Sequence, residues 1–482
     1  MILEALETRD RTAPHSFRGR LQQVALGILL IEVLTVPLSY GAVLPDGKLV
    51  LELLAFAVAL LALGTGEHPG LGWAAMPLTA AAGLIVLGAF QAMPLPATWV
   101  QLLSPASAVL YERSNAVLHL FGRPAAAPRL SVAPRETVSA LLVIAAYAAL
   151  FISAAALCTT RLKRRLVVWA VIFVEVGYAT AAVLTDGTED RIHGTFVNPN
   201  HLAGYLEIGL MLAFGLVWSE VLFNSQRGAG LLQQQDRLEK RMLALGWRIM
   251  TWSVLAAGLA LTRSRGGISA AALGSLIVFV LAIRVRGGEG TRRSVALKGA
   301  LVVLAGIAAT TLAVGRYPLL RFLASDPRDP SSDLRTTLWR VSFTAWRPFP
   351  VFGAGLGCFR EAFRVAQPSD LPDLVEQAHN DFLQMLVTGG VIGAALSSFA
   401  VLSLFVLFLR AWRREPHREE QAYLLAGAGV LLTLVLHGLV EFNFSVPAIP
   451  ATMAIVLGAA WAGRTTTPLL RKPRVVSDVR DP

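Results

Sequence analysis

The sequence predicts an all-α polytopic integral membrane protein, with about twelve transmembrane helices and one large loop between spans 9 and 10. Three observations carry that prediction. Hydrophobic residues make up 55% of the 482 and charged residues only 16%, against roughly 25% charged in ordinary soluble domains. Mean hydropathy is +0.58. Apolar runs long enough to cross about 30 Å of hydrocarbon recur along the chain, and the basic residues fall in the short segments between them.

Taken in order, residues 1–20 form a polar, basic lead with Arg9, Arg11, Arg18 and Arg20, expected to be disordered. The first span, 21–43, is too long for a signal-peptide core and carries Glu32, so it is read as a retained helix. Spans at 48–64 and 71–92 follow, then a segment 93–135 whose Pro94, Pro96, Trp99, Tyr111 and Arg113 suggest a surface hairpin at the interface. Further spans are expected at 136–158, 166–185, 201–223, 247–262, 267–284 and 297–315, with 247–262 short enough to be tilted or broken. Residues 316–378 form the large outside segment, in which Asp333 to Trp346 reads as a helix. Pro348-Phe-Pro-Val-Phe-Gly-Ala-Gly-Leu-Gly357 then ends it, because proline and glycine do not continue the ladder. The span at 380–410 is overlong, so part of it is expected to project from the bilayer; 420–440 and 446–463 complete the set, with a tail at 464–482.

Charge sets the orientation. With the N-terminus inside, 27 of the 43 lysines and arginines lie on inside segments, among them Arg161-Leu-Lys-Arg-Arg165 and Arg413-Arg414. Short loops decide topology, so both termini are expected in the cytoplasm. The pI near 10.2 and the net charge of +11 follow from these anchors rather than from a nucleic-acid-binding face. Cys158 and Cys358 fall on opposite sides in this threading, which excludes a disulfide between them. There is no P-loop, no paired metal-binding motif and no nucleotide-binding glycine fingerprint, so neither an ATP-driven pump nor a bound metal or cofactor is expected.

Three polar clusters stand at outside span ends, where ionisable residues cost free energy and commonly mark a site. Arg191 precedes Asn198-Pro199-Asn200, a helix start with capping asparagines and a proline of fixed φ. Unpaired N–H groups beside an arginine suit an anion, and His193 and His201 flank the position; the plainer reading is a solvated turn. Arg263-Ser-Arg265-Gly-Gly267 puts two arginines outside, against the positive-inside trend, followed by glycines that let the backbone turn. One arginine would be explained by snorkelling, whereas two suggest a phosphate clamp. His379-Asn380-Asp381 opens the tenth span, where histidine is suited to take a proton near neutral pH, or else neighbours a cap. His437 and Glu441, one turn apart, read equally as a functional or a structural pair.

Together the motifs Gly194-Thr-Phe-Val-Asn-Pro-Asn-His-Leu-Ala-Gly204, Ser264-Arg-Gly-Gly267, Gly353-Ala-Gly-Leu-Gly357 and His379-Asn-Asp-Phe-Leu383 resemble the bacterial O-antigen ligase/polymerase family. The resemblance spans roughly 190–460 and includes the long outside loop before the histidine-led span. It implies transfer of a glycan from an undecaprenyl-diphosphate carrier to an acceptor hydroxyl, at the periplasmic face of the inner membrane and without a metal. Carried onto this sequence, it implies that Arg191 and Arg265 bind the donor diphosphate and that His379 deprotonates or positions the acceptor. Arg263 and Asn200 become secondary members, with Asn198, His193 and Asp381 nearby as substrate-binding candidates. The implied partners are the lipid-linked donor, a glycan or lipid A core acceptor, membrane lipids and other polysaccharide-assembly proteins.

Within the family the general likeness leans to a polymerase or exopolysaccharide type, with the ligase close behind and a protein glycosyltransferase open. The rival class is a transporter or flippase for lipid-linked glycans. That rival predicts charges at the bilayer midplane and an internal repeat, whereas the charges here cluster at one face and no repeat is visible.

Overall fold

The structure is a computed structural model that describes residues 17–65, 72, 75–186, 191–222, 231–285, 330–369, 371 and 374–462. Fifteen α-helices follow along the described chain: α1 (Phe17–Thr35), α2 (Pro45–Gly64), α3 (Ala75–Ala92), α4 (Ala97–Leu103), α5 (Pro105–Leu120), α6 (Pro134–Leu157), α7 (Arg161–Asp186) and α8 (Pro199–Leu222). They continue with α9 (Leu231–Leu261), α10 (Arg265–Val285), α11 (Pro330–Trp346), α12 (Phe359–Ala366), α13 (Asp381–Arg414), α14 (Arg418–Gly438) and α15 (Ala448–Trp461). No strand occurs among the described residues.

Ten of these helices are long and apolar enough to cross a membrane by length and composition. The expected span 297–315 and the tail 464–482 lie outside the described residues, as does most of the N-terminal lead. The expected span 446–463 is shorter than read: α15 has 14 residues, about 21 Å at 1.5 Å per residue. The helix starts only at Ala448, after a 3-10 turn at Asn443–Ser445. Between the expected spans 201–223 and 247–262, the described residues from Leu231 onward are helical, because α9 begins there. Its Gln, Arg, Glu, Lys and Leu residues are good helix formers whose polarity hides them from a hydropathy reading. The segment 93–135 holds α4 and α5.

The centre of the bundle is α8 against α14. The α8 span is wholly buried and the α14 span mostly so, while the outer spans expose apolar side chains. Small residues permit the close approach: a Cβ at Gly215 would stand 2.8 Å from the Cβ of Ala426. A second, smaller core gathers Leu338, Val341 and Ala345 of α11, Phe359 and Phe363 of α12, and Val387 of α13.

The overlong span does not run straight. α13 is broken at Gly390, which has φ 64° and ψ −165°. A Cβ there would stand 2.3 Å from the carbonyl oxygen of Val351, so the loop 349–358 lies directly on the break. Backbone groups freed by the break are paired within the protein, as a lipid environment requires. Ala354 N–H donates to Val387 O (2.9 Å), Gly355 N–H to Thr388 O (3.0 Å) and Val391 N–H to Pro350 O (3.0 Å). The Gln91 amide of α3 adds bonds to Phe352 O (2.5 Å) and Thr388 O (3.0 Å). The glycine-rich motif therefore serves to lock the first part of α13, which carries the histidine-led segment.

The two ends of the bundle are distinct. Cys358 lies 3.3 Å from Thr137 at the start of α6, whereas Cys158 follows its last residue. That 24-residue helix is about 36 Å long, which keeps the two free cysteines apart as expected. At the Cys158 end, Arg164 pairs with Glu420 (2.6 Å) and Arg165 with Glu419 (2.8 Å), joining the starts of α7 and α14. The ends of α7, α9 and α14 and the starts of α8, α10 and α13 meet at the other end, where the polar motifs lie.

Candidate active site at one end of the bundle

Glu441 is the centre of that end. It stands just beyond α14 and its side chain is 1% exposed. Its Oε1 accepts from Asn200 Nδ2 at 2.5 Å and also meets the Arg335 guanidinium, while its Oε2 lies 3.1 Å from His379 Nδ1. Asn200 in turn accepts from Arg191 Nη2 at 2.6 Å, and Arg191 Nε–H donates to the Thr262 carbonyl at 2.9 Å. Burial alone would push the Glu441 carboxyl up. The His379 hydrogen bond and the Arg335 charge outweigh that and hold it below the usual carboxylate range.

Each arm of this network is set locally. At the start of α8, Asn198 Oδ1 accepts the Asn200 N–H (2.8 Å), the capping expected from the sequence. His193 turns into its own loop, its Nδ1 2.9 Å from Phe196 O, and its backbone N–H is held by Asp186. His201 is buried against Phe442, ring centroids 4.6 Å apart, and His379 packs edge-on against the same ring at 4.8 Å.

The Arg263-Ser-Arg265 turn joins the network through Thr262. Arg263 has φ 51° and His379 φ 48°, left-handed conformations that cost a non-glycine residue free energy and are tolerated where surroundings fix them. Ser264 Oγ accepts the Gly267 N–H (3.2 Å) and caps α10, leaving Arg265 exposed at its first position. Gly266 and Gly267 are helical and do not turn the backbone, contrary to expectation. Their use is close approach, since a Cβ at Gly267 would stand 3.1 Å from His437 Cε1.

On the α13 side, Asn380 caps the helix by accepting from Leu383 N–H (3.0 Å) and donates to Leu439 O (2.8 Å). Trp339 Nε1–H donates to the His379 carbonyl at 3.2 Å. Asp381 is aimed at the 442–445 turn: its Oδ2 accepts from Phe444 N–H at 3.3 Å, and its N–H donates to Glu441 O at 3.2 Å. Glu376 is exposed and lies 4.0 Å from Arg360.

The structure thus brings together Arg191, Asn200 and His379, with Asn198 as a cap and Asp381 on the adjoining turn. The sequence reading paired Glu441 only with His437 and gave Arg335 no part in the site. The pairing of His437 with Glu441 does not form. α14 ends at Gly438, so the four-residue helical spacing no longer applies at Glu441, and His437 faces Glu207 instead (2.8 Å). A cavity of about 480 Å³ at the start of α6, lined by Arg129, Arg135, Glu136 and Glu361, shares no residue with the network. Among the described residues no His, Cys, Asp and Glu side chains cluster so as to hold a metal ion.

The fold and site define a polytopic, all-helical membrane protein with a cationic, histidine-bearing site at one end of its bundle. Residues 250–398, about a third of the chain, match the family model described as O-antigen ligase. The matched segment contains the Arg263-Ser-Arg265 turn, α11, the glycine-rich loop and His379. No curated protein matches the chain.

Proposed function

We propose that this protein transfers a glycan from undecaprenyl diphosphate to an acceptor hydroxyl, at the periplasmic face of the bacterial inner membrane, as a metal-independent glycosyltransferase. The observation that carries the reading is the linkage of His379 to Arg191 through Glu441 and Asn200. With His379 Nδ1–H directed at the Glu441 carboxylate, Nε2 keeps a lone pair for the acceptor proton. The acceptor oxygen bonds to the anomeric carbon as that carbon's bond to the diphosphate oxygen breaks. The glycan is transferred with inversion and undecaprenyl diphosphate leaves. Arg191 and Arg265 neutralise the charge growing on the leaving group, and Glu441 stabilises the imidazolium. Arg263 and His193 line the donor side. The basic start of α7 and the basic end of α13, with Arg413 and Arg414, mark the cytoplasmic end by the positive-inside rule, which turns the His379 end outward.

The family description favours ligation of finished glycan to lipid A core over chain polymerisation. In a strain lacking the native copy, Arg265→Ala and His379→Ala, each at wild-type protein level, should accumulate lipid-linked glycan. Long unligated chains indicate the ligase, and a ladder collapsing to single repeat units indicates the polymerase. Wild-type surface polysaccharide from both variants would remove these residues from the mechanism. A flippase would instead leave the glycan on the cytoplasmic leaflet.

A further inference from the structure

Glu207 on α8 and His437 on α14 take no part in the chemistry above. Both side chains are 0% exposed, and His437 Nδ1 lies 2.8 Å from Glu207 Oε1, an ion-pair distance without hydrogen-bond alignment. Stability alone is a poor reason for such a pair. Breaking it leaves a costly buried polar group, but well-packed apolar residues in place of both partners are often as stable or more so.

What lies on the far side of the pair is more informative. A Cβ on Gly267 would stand 3.1 Å from His437 Cε1, 3.2 Å from Glu207 Oε1 and 2.9 Å from the Ala203 Cβ. On Gly266 it would stand 3.3 Å from His437 Nε2 and 2.8 Å from Val440 Cγ2. The first turn of α10 therefore rests directly on the imidazole and carboxylate, and has glycines where it does so. That turn is the one that carries Arg265 and is capped by Ser264 next to the left-handed Arg263. Four residues beyond His437, the same chain segment supplies Glu441 to the His379 network. One end of α14 thus holds the arginine turn with His437 and the histidine network with Glu441.

We infer that Glu207 and His437 are positioning residues, seating the Arg263–Gly267 turn so that Arg265 is presented to a diphosphate. The inference rests on the reading of Arg265 as a diphosphate ligand. The pair touches no substrate and acts only through the α10 turn.

The test uses the detergent-purified full chain and farnesyl diphosphate as a soluble prenyl diphosphate, with affinity measured for the wild type and variants. Arg265→Ala should weaken binding. His437→Ala and Gly267→Ala, which disturb the seat from opposite sides, should each weaken it about tenfold, or about 1.4 kcal/mol. Because they act through Arg265, His437→Ala in the Arg265→Ala background should cost nothing further, whereas independent effects would add. Additive losses, or unchanged affinity in His437→Ala alongside a loss in Arg265→Ala, overturn the positioning role. Unchanged affinity in Arg265→Ala itself overturns the diphosphate reading and the positioning role with it. Glu207→Gln, nearly isosteric, answers the same question if His437→Ala does not fold: about threefold weakening is expected on the scale of such couplings, and none overturns the role.

Discussion

The two ends of the bundle use the same chemistry to different ends. At the Cys158 end, Arg164 and Glu420 are 5% and 8% exposed, and the guanidinium is filled by Glu420 and by the Cys158 and Thr159 carbonyls. At the other end, Glu441 is equally buried, but its partners Arg335 and His379 remain 31% and 29% exposed. The first is a closed clamp joining two helix starts. The second is an arrangement open on one side, with two left-handed residues at its edge. A buried arginine–glutamate pair therefore says little about function until the exposure and strain of its neighbours are known.

Substitutions test that contrast, beginning with the largest effect. His379→Ala should lower the transfer rate by about 10²–10⁴-fold, the usual worth of a general base, with thermal stability near wild type. Arg164→Ala should do the reverse. It strands Glu420 and should destabilise by about 3–5 kcal/mol, as loss of one partner of a buried pair does, while turnover per folded molecule stays near wild type. Thermal melts beside transfer assays separate the two. If Arg164→Ala abolished turnover in folded protein, the division between the ends would fail.

Acid should sharpen the contrast further. Glu441 is held below the usual carboxylate range, so its contribution to stability is complete at neutral pH. That contribution is full above the unfolded value of about 4.3, is lost progressively as pH falls from there toward the lower folded value, and is gone below both. Melting midpoints of wild type and Glu441→Gln should accordingly differ at pH 7 and converge in stronger acid. A difference independent of pH would mean that the carboxylate charge is not what holds the network.

The smallest effects concern glycine. Gly390→Ala places a Cβ 2.3 Å from Val351 O at φ 64°, and should cost more than the roughly 1–2 kcal/mol of left-handed strain alone. Gly177→Ala, with nothing within 4 Å, should stay within about 1 kcal/mol of wild type. Comparable melts for the two would show that the α13 break is not fixed by the loop 349–358.

The sequence by itself determined the helical, membrane-spanning class, most span positions, the helix ending at Trp346 and the three motifs that carry the polar residues. Those follow from composition and local pattern: apolar runs of bilayer length, proline and glycine at breaks, asparagine at helix starts. It also contained Glu441 but read it against His437, because a four-residue spacing implies contact only while the helix lasts. Only the tertiary structure ended α14 at Gly438, turned Glu441 toward Asn200, Arg335 and His379, and set His437 against Glu207 and the α10 glycines. These contacts join residues 62 to 241 positions apart. Local pattern carries no term for such distances; the packing of α8 against α14 decides them.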